Sequence, residues 1–175
     1  MTTTPTPDPR IETHLLPPGT NVPNNDRLPL VIYRGALSGA SDAASGFEEL
    51  FDRNGWGGSW RDGIYSYHHF HTTAHEALGI AAGTARVCFG GPDGVVAEVA
   101  AGDMVVIPAG VGHKNLGASS DFLVIGSYPD GQEPDMNRDD RPVKPALLDK
   151  VRAVPLPGTD PLFGPTGPLL RHWGG

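Results

Sequence analysis

The chain has 175 residues, enough for one domain with a sizeable core, and its 24 glycines and 18 prolines make up about a quarter of it. Acidic residues outnumber basic ones 20 to 13, a formal charge of -7 with no basic patch at the centre, so nucleic-acid binding lacks electrostatic support. The single cysteine, Cys88, excludes an internal disulfide framework, and neither a signal core nor an apolar run of membrane-spanning length occurs, so a cytoplasmic protein without membrane contact is expected.

Residues 1–27 read as a flexible or extended segment, Thr/Pro-rich and frayed over the first dozen positions. LPLVIYRGAL, 28–37, predicts a strand on Leu30, Val31, Ile32 and Tyr33, with Pro29 marking an edge or an irregular start. SDAASGFEELFDRNGW is the one long helix predicted: Ser41 or Asp42 caps it, Phe47, Leu50 and Phe51 form its apolar stripe, and Asn54-Gly55 stops it. Trp56 and Trp60 follow in a glycine-rich connection, placed to line a cavity or to pack on the outside of a sheet.

From residue 64 to 128 the period changes to two. Strands are predicted at 64–70, 77–80, 85–89, 95–99, 104–107 and 122–128, separated by GTA, GGPDG, AGD, PAGVG and GASSD. Many short strands with glycine-rich turns indicate an all-β barrel or sandwich spanning 28–128. Residues 129–175 form an irregular C-terminal arm. Its apolar residues, Val154, Leu156, Leu162, Phe163, Leu169, Leu170 and Trp173, are available to clamp it to the barrel or to a second subunit.

The segment YSYHHFHTTAHE crowds four histidines and a glutamate into residues 68–76. If 64–70 is extended, Tyr65, Tyr67, His69 and His71 share one face, and TTAH reverses the chain so that Glu76, Leu78 and Ile80 share a face of the next strand. His69, His71 and Glu76 then converge. His113, after IPAGVG, is the best further ligand, because Pro108 restricts the backbone and Gly110 and Gly112 permit the torsions that turn it inward. Three neutral imidazoles and a carboxylate suit Fe(II), Mn(II), Ni(II), Co(II) or Zn(II), and in an octahedral sphere leave two positions open.

These residues resemble the cupin (RmlC-like) superfamily. Its first motif, G-x5-H-x-H-x3,4-E-x6-G, is met by Gly63, His69, His71, Glu76 and Gly83; its second, G-x5-P-x-G-x2-H-x3-N, by Gly102, Pro108, Gly110 and His113, failing only at Gly117. YHHFHTTAHEALGI, SYPDGQ and the proline-rich tail further resemble a small bacterial group of YjlB-like cupins. The resemblance implies an all-β, single-domain double-stranded β-helix or jelly-roll barrel, here with a short N-terminal helix. It also implies a homodimer, and one divalent metal ion per subunit held by His69, His71, Glu76 and His113, with Fe(II) favoured.

Around that centre, Tyr67 and then Tyr65 are the candidates to hydrogen-bond a bound substrate, against plain core packing. Arg86 is the candidate to hold a substrate carboxylate through paired donors, against an exposed position over buried Val87 and Phe89. His68 and His75 break the inward alternation and are expected at the surface, behind a ligand or at an interface. Asn115 is expected to make a loop hydrogen bond, to tether His113 or to meet substrate. The function expected is a metal-dependent oxidoreductase or dioxygenase acting on a small metabolite. The alternatives are a non-redox isomerase, epimerase or lyase, and a cupin that only binds or senses a small ligand.

Overall fold

The computed structural model describes residues 2–174, so the fraying expected at Met1 and the place of Gly175 in the arm lie outside it. In chain order the elements are β1 (Arg10–Leu16), β2 (Asn25–Arg34), α1 (Ala43–Arg53), β3 (Trp56–Asp62), β4 (His69–Phe70), β5 (Glu76–Ala82), β6 (Thr84–Phe89), β7 (Val95–Ala100), β8 (Met104–Ile107), β9 (His113–Ala118), β10 (Leu123–Pro129), β11 (Asn137–Arg138), α2 (Pro145–Arg152) and α3 (Pro168–Trp173). They form a six-stranded sheet, β1-β2-β8-β5-β10-β3, and a five-stranded sheet, β11-β4-β9-β6-β7, antiparallel throughout. This is the all-β jelly-roll barrel that the motifs imply. No helix among the described residues is long and apolar enough to cross a membrane.

Strand alternation builds two apolar layers from one set of strands. Leu30, Ile32, Leu78, Ile80, Val105 and Val124 of the larger sheet face Val87, Phe89 and Val99 of the smaller one between the sheets. Their neighbours Val31, Tyr33, Ala77, Val106 and Ile125 point the other way, under α1 and the C-terminal arm. Asp42 caps α1 by accepting from the Ser45 amide at 3.1 Å, and Phe47, Leu50 and Phe51 are fully buried. Phe47 lies so close to β5 that a Cβ on Gly79 would sit 2.5 Å from its ring, so only glycine lets this helix dock.

Four expectations change. The fraying expected over the first dozen positions does not extend to Arg10, because β1 pairs with β2 from Arg10↔Arg34 onward and covers that edge. The glycine-rich connection is strand β3, paired with β10. Gly58 has φ +66 there and inserts a bulge, so Trp56 turns to the outer layer while Trp60 turns inward. Strand 64–70 shrinks to His69–Phe70, because β11 is two residues long and on the other side β9 pairs only at His69↔His113, with a single further bond from the Asn115 amide to the Tyr65 carbonyl (2.9 Å) upstream. The arm contains α2 and α3 and is tied to this chain. The fully buried Asp160 accepts from the Tyr33 hydroxyl at 2.5 Å and from the amides of Leu162, Phe163 and Leu169 at 2.8, 3.1 and 3.0 Å, and Trp173 Nε1 donates to the Pro29 carbonyl.

Candidate metal centre

β4 and β9 are hydrogen-bonded partners in register His69↔His113, which sets these two imidazoles side by side with ring centres 3.9 Å apart. His71 follows β4, and Glu76 opens β5 on the facing sheet, sharing its inward face with Leu78 and Ile80. The turn that delivers His113 is fastened to the histidine segment. Gly110, at φ +87, donates its amide to the His71 carbonyl at 2.7 Å, and the Ala109 amide donates to His75 Nδ1 at 2.8 Å. One ligand nitrogen from each of His69, His71 and His113 lies within 4.8 Å of the others. Glu76 Oε1 is 3.5 Å from His71 Nε2 and 3.3 Å from His113 Nε2. All four residues are buried.

The outer nitrogen of each imidazole meets a carbonyl: His69 Nδ1 that of Tyr67 (3.1 Å), His71 Nδ1 that of Asp135 (2.6 Å) and His113 Nδ1 that of Val111 (3.2 Å). A carbonyl only accepts, so Nδ1 carries the proton, and in a neutral ring Nε2 turns its lone pair to the centre. Two of those lone pairs face a carboxylate oxygen, an arrangement that calls for a cation among them. The donor set therefore fits a divalent first-row metal. The electrostatics agree. Burial opposes ionisation of Glu76, yet His113 and His71 hold its carboxyl well below the usual range. Burial pushes His69 down to about 3, and His113 adds to the shift. Burial would also depress His71, but Glu76 outweighs it and raises this imidazole.

The segment after β10 completes the support. Asp135 accepts from the Thr72 amide at 2.6 Å and from the Thr72 hydroxyl, and its own amide donates to Thr73 Oγ1 at 2.9 Å. Burial opposes the charge on Asp135, but the Thr72 bonds bring its pKa down to about 2. The Asp135 backbone is thereby fixed where its carbonyl can orient His71.

The centre forms the floor of a cavity of about 410 Å³. Trp60, Leu78 and Tyr128 form part of its wall, and Tyr65, 50% exposed, stands at its rim. Of the two candidate tyrosines, the one ranked second therefore reaches the cavity. Tyr67 stacks behind Tyr65 (5.0 Å) beneath the Arg138 guanidinium, 3.8 Å from its ring centre, and is not part of the wall. Arg86 does not reach the centre: it is exposed on β6, opposite Glu98, in a separate surface groove. The reason is the alternation itself, which buries Val87 and Phe89 between the sheets.

His75, expected away from the interior, is fully buried against Trp173, ring centres 4.8 Å apart. Burial lowers its pKa to about 4, against the opposing effect of the Pro155 carbonyl, and its Nε2 makes no hydrogen bond. His68 lies outside the ligand group. Asn115 Oδ1 accepts from the Gly117 amide at 2.8 Å, a bond within strand β9 rather than in a loop.

Tyr128 was not among the sequence candidates. Its hydroxyl accepts from Trp60 Nε1 at 2.7 Å, and burial, with Glu76 close by, raises its pKa so that it stays protonated. The period-two run of β10, which puts Val124, Gly126 and Tyr128 on one face, was the available signal.

Two antiparallel sheets closing over three imidazoles and a carboxylate, supplied by paired strands and one returning turn, define the protein as a cupin. No protein-family model matches the sequence. The chain is 38% identical over 162 residues to "Uncharacterized protein YjlB" of Bacillus subtilis (strain 168), covering 93% of this chain and 96% of that one. It belongs to the YjlB family of cupins.

Among solved structures, a DUF861 family protein of Thermotoga maritima aligns with 51% of this chain and 94% of its own at 20% identity and a TM-score of 0.33. An oxalate decarboxylase aligns with 66% of this chain at 18% identity and 0.37, and Brassica napus procruciferin, an 11S globulin, with 64% at 16% and 0.38. This chain spans 29% and 23% of the lengths of those two proteins, respectively.

Proposed function

We propose that the protein is a metal-dependent enzyme that uses one divalent ion, Fe(II) in first place, in an oxidoreductase reaction of the dioxygenase type on a small metabolite. The observation that carries this reading is the position of the His69, His71, His113 and Glu76 donors at the floor of a cavity large enough for a small molecule. An ion held there supplies Lewis acidity and, as iron, electrons for dioxygen chemistry. The protein's own groups do the rest. Three carbonyls hold the imidazoles in one tautomer, Glu76 stays ionised as a ligand and is not free to act as a base, and Tyr128 keeps a proton at the cavity wall. Leu78 and Trp60 keep water from the wall beside the centre.

Two measurements test the reading. Replacing His71 with alanine should reduce metal content at least tenfold while the far-ultraviolet dichroism of the β sheets is kept. An unchanged metal-to-protein ratio takes His71 out of the ligand set. Iron-loaded protein, reduced and given a substrate anaerobically, should then consume oxygen in proportion to product once oxygen is admitted. Equal turnover without oxygen replaces oxidation by the isomerase, epimerase or lyase reading, which the same ligands permit with Zn(II), Mn(II), Ni(II) or Co(II). The cupin resemblance also supports a cytoplasmic homodimer, and sedimentation at the mass of one 18.4 kDa chain at every concentration would remove the dimer.

A further inference from the structure

We propose that Tyr128 and Trp60 form a hydrogen-bonding subsite beside the metal centre that takes the uncharged oxygen of a ligand with an aromatic or alkyl body. This rests on the metal reading above.

The pair is built into the barrel by constraints with no other evident purpose. Trp60 Nε1 donates to Tyr128 Oη at 2.7 Å, so one acceptor site of the phenol is filled; its own proton is within reach of Glu76 and is released to a ligand oxygen when that carboxylate is committed to the metal. Both side chains line the cavity that contains the ligand histidines. The indole lies flat against β10: a Cβ on Gly126 would be 2.0 Å from Trp60 Cε2, so any other residue there would displace it. On β3, the Gly58 bulge turns Trp60 into the cavity although Trp56, four residues earlier, faces the opposite layer. Three features of two strands thus converge on one phenolic proton.

The ligand class follows from the charges of the wall. Arg61 is the only cationic side chain lining the cavity among the described residues, and it is committed to Glu48 through Nε–Oε1 (2.7 Å) and Nη2–Oε2 (2.9 Å). Asp62 and Asp135 also lie in the wall. Beyond the metal itself, no free side-chain cation lines the described wall to hold a carboxylate at this subsite, whereas Ile64, Leu78 and Met136 offer apolar surface for a ring or chain. A neutral carbonyl or hydroxyl oxygen is the group that a phenolic donor recognises without a counter-charge.

The test uses the full chain loaded with cobalt(II), titrated with 2-hydroxyacetophenone and with mandelate. These share a phenyl body and paired oxygens and differ in charge. The readouts are the visible cobalt absorption and calorimetry. The neutral probe should shift the spectrum saturably and bind at least as tightly as mandelate. Tyr128→Phe should weaken it about tenfold, and Trp60→Phe severalfold, with cobalt stoichiometry and affinity unchanged.

Equal probe affinity in Tyr128→Phe, or a loss confined to cobalt affinity, overturns the subsite and makes the phenol a support for Glu76. A tenfold preference for mandelate overturns the uncharged class, and loaded protein that binds neither probe overturns both. A protein that takes up no cobalt removes the proposed function and the subsite with it, so the two failures are distinguishable.

Discussion

His75 shows how much a single residue in the histidine segment depends on its surroundings. Neighbouring His71 and Glu76 turn into the cavity, whereas His75 turns into the packed interior and accepts the amide that anchors the His113 turn. It is held neutral there, with its pKa near 4. In the unfolded chain it takes up a proton near pH 6.5, so between those values the unfolded state binds more protons and stability falls as pH falls. Replacement by glutamine keeps an acceptor for the Ala109 amide and removes the titration. In metal-free protein, urea unfolding at pH 7 and pH 5 should show the wild type losing about 2 kcal/mol more than His75→Gln over that interval. Parallel losses would show that His75 is not held neutral.

Among the elements, α1 was readable because its cap, stripe and stop signal lie in one continuous stretch. β3 was not, since three of its first four positions are Gly57, Gly58 and Ser59, and the ladder that makes it a strand is supplied by β10, more than sixty residues away. The docking of α1 on β5 is equally specific. Gly79→Ala places a methyl inside the Phe47 contact and should cost about 2 kcal/mol, lowering the calorimetric Tm by about 4–8 °C. An unchanged Tm would mean that the helix lifts without loss.

For the whole molecule, the C-terminal arm closes the outer layer, and Asp160 is its fastening. Removing that carboxylate in Asp160→Ala leaves the buried amides of Leu162 and Leu169, the part-buried amide of Phe163 and the Tyr33 hydroxyl without an acceptor, at a cost of about 3 kcal/mol or more. Denaturant unfolding should show the loss, and limited proteolysis should cut the arm between 153 and 168 while the barrel persists. Resistance equal to the wild type would place the fastening elsewhere, with the Trp173–Pro29 bond the next candidate.

By itself the sequence determined the barrel, the helix and the four candidate ligands. Alternation, capping and motif spacing are local patterns, and His69, His71, Glu76 and His113 stand in two short ones. The tertiary structure alone decided which tyrosine reaches the cavity, that His75 is interior, and that Asp135 and Trp60 join the wall of the site. These roles are set by hydrogen bonds between residues far apart in the chain, such as Trp60 to Tyr128 (68 apart), His71 to Asp135 (64 apart) and Ala109 to His75 (34 apart). No local period encodes such pairings, because they exist only once the sheets have closed and each buried polar group must find its partner inside.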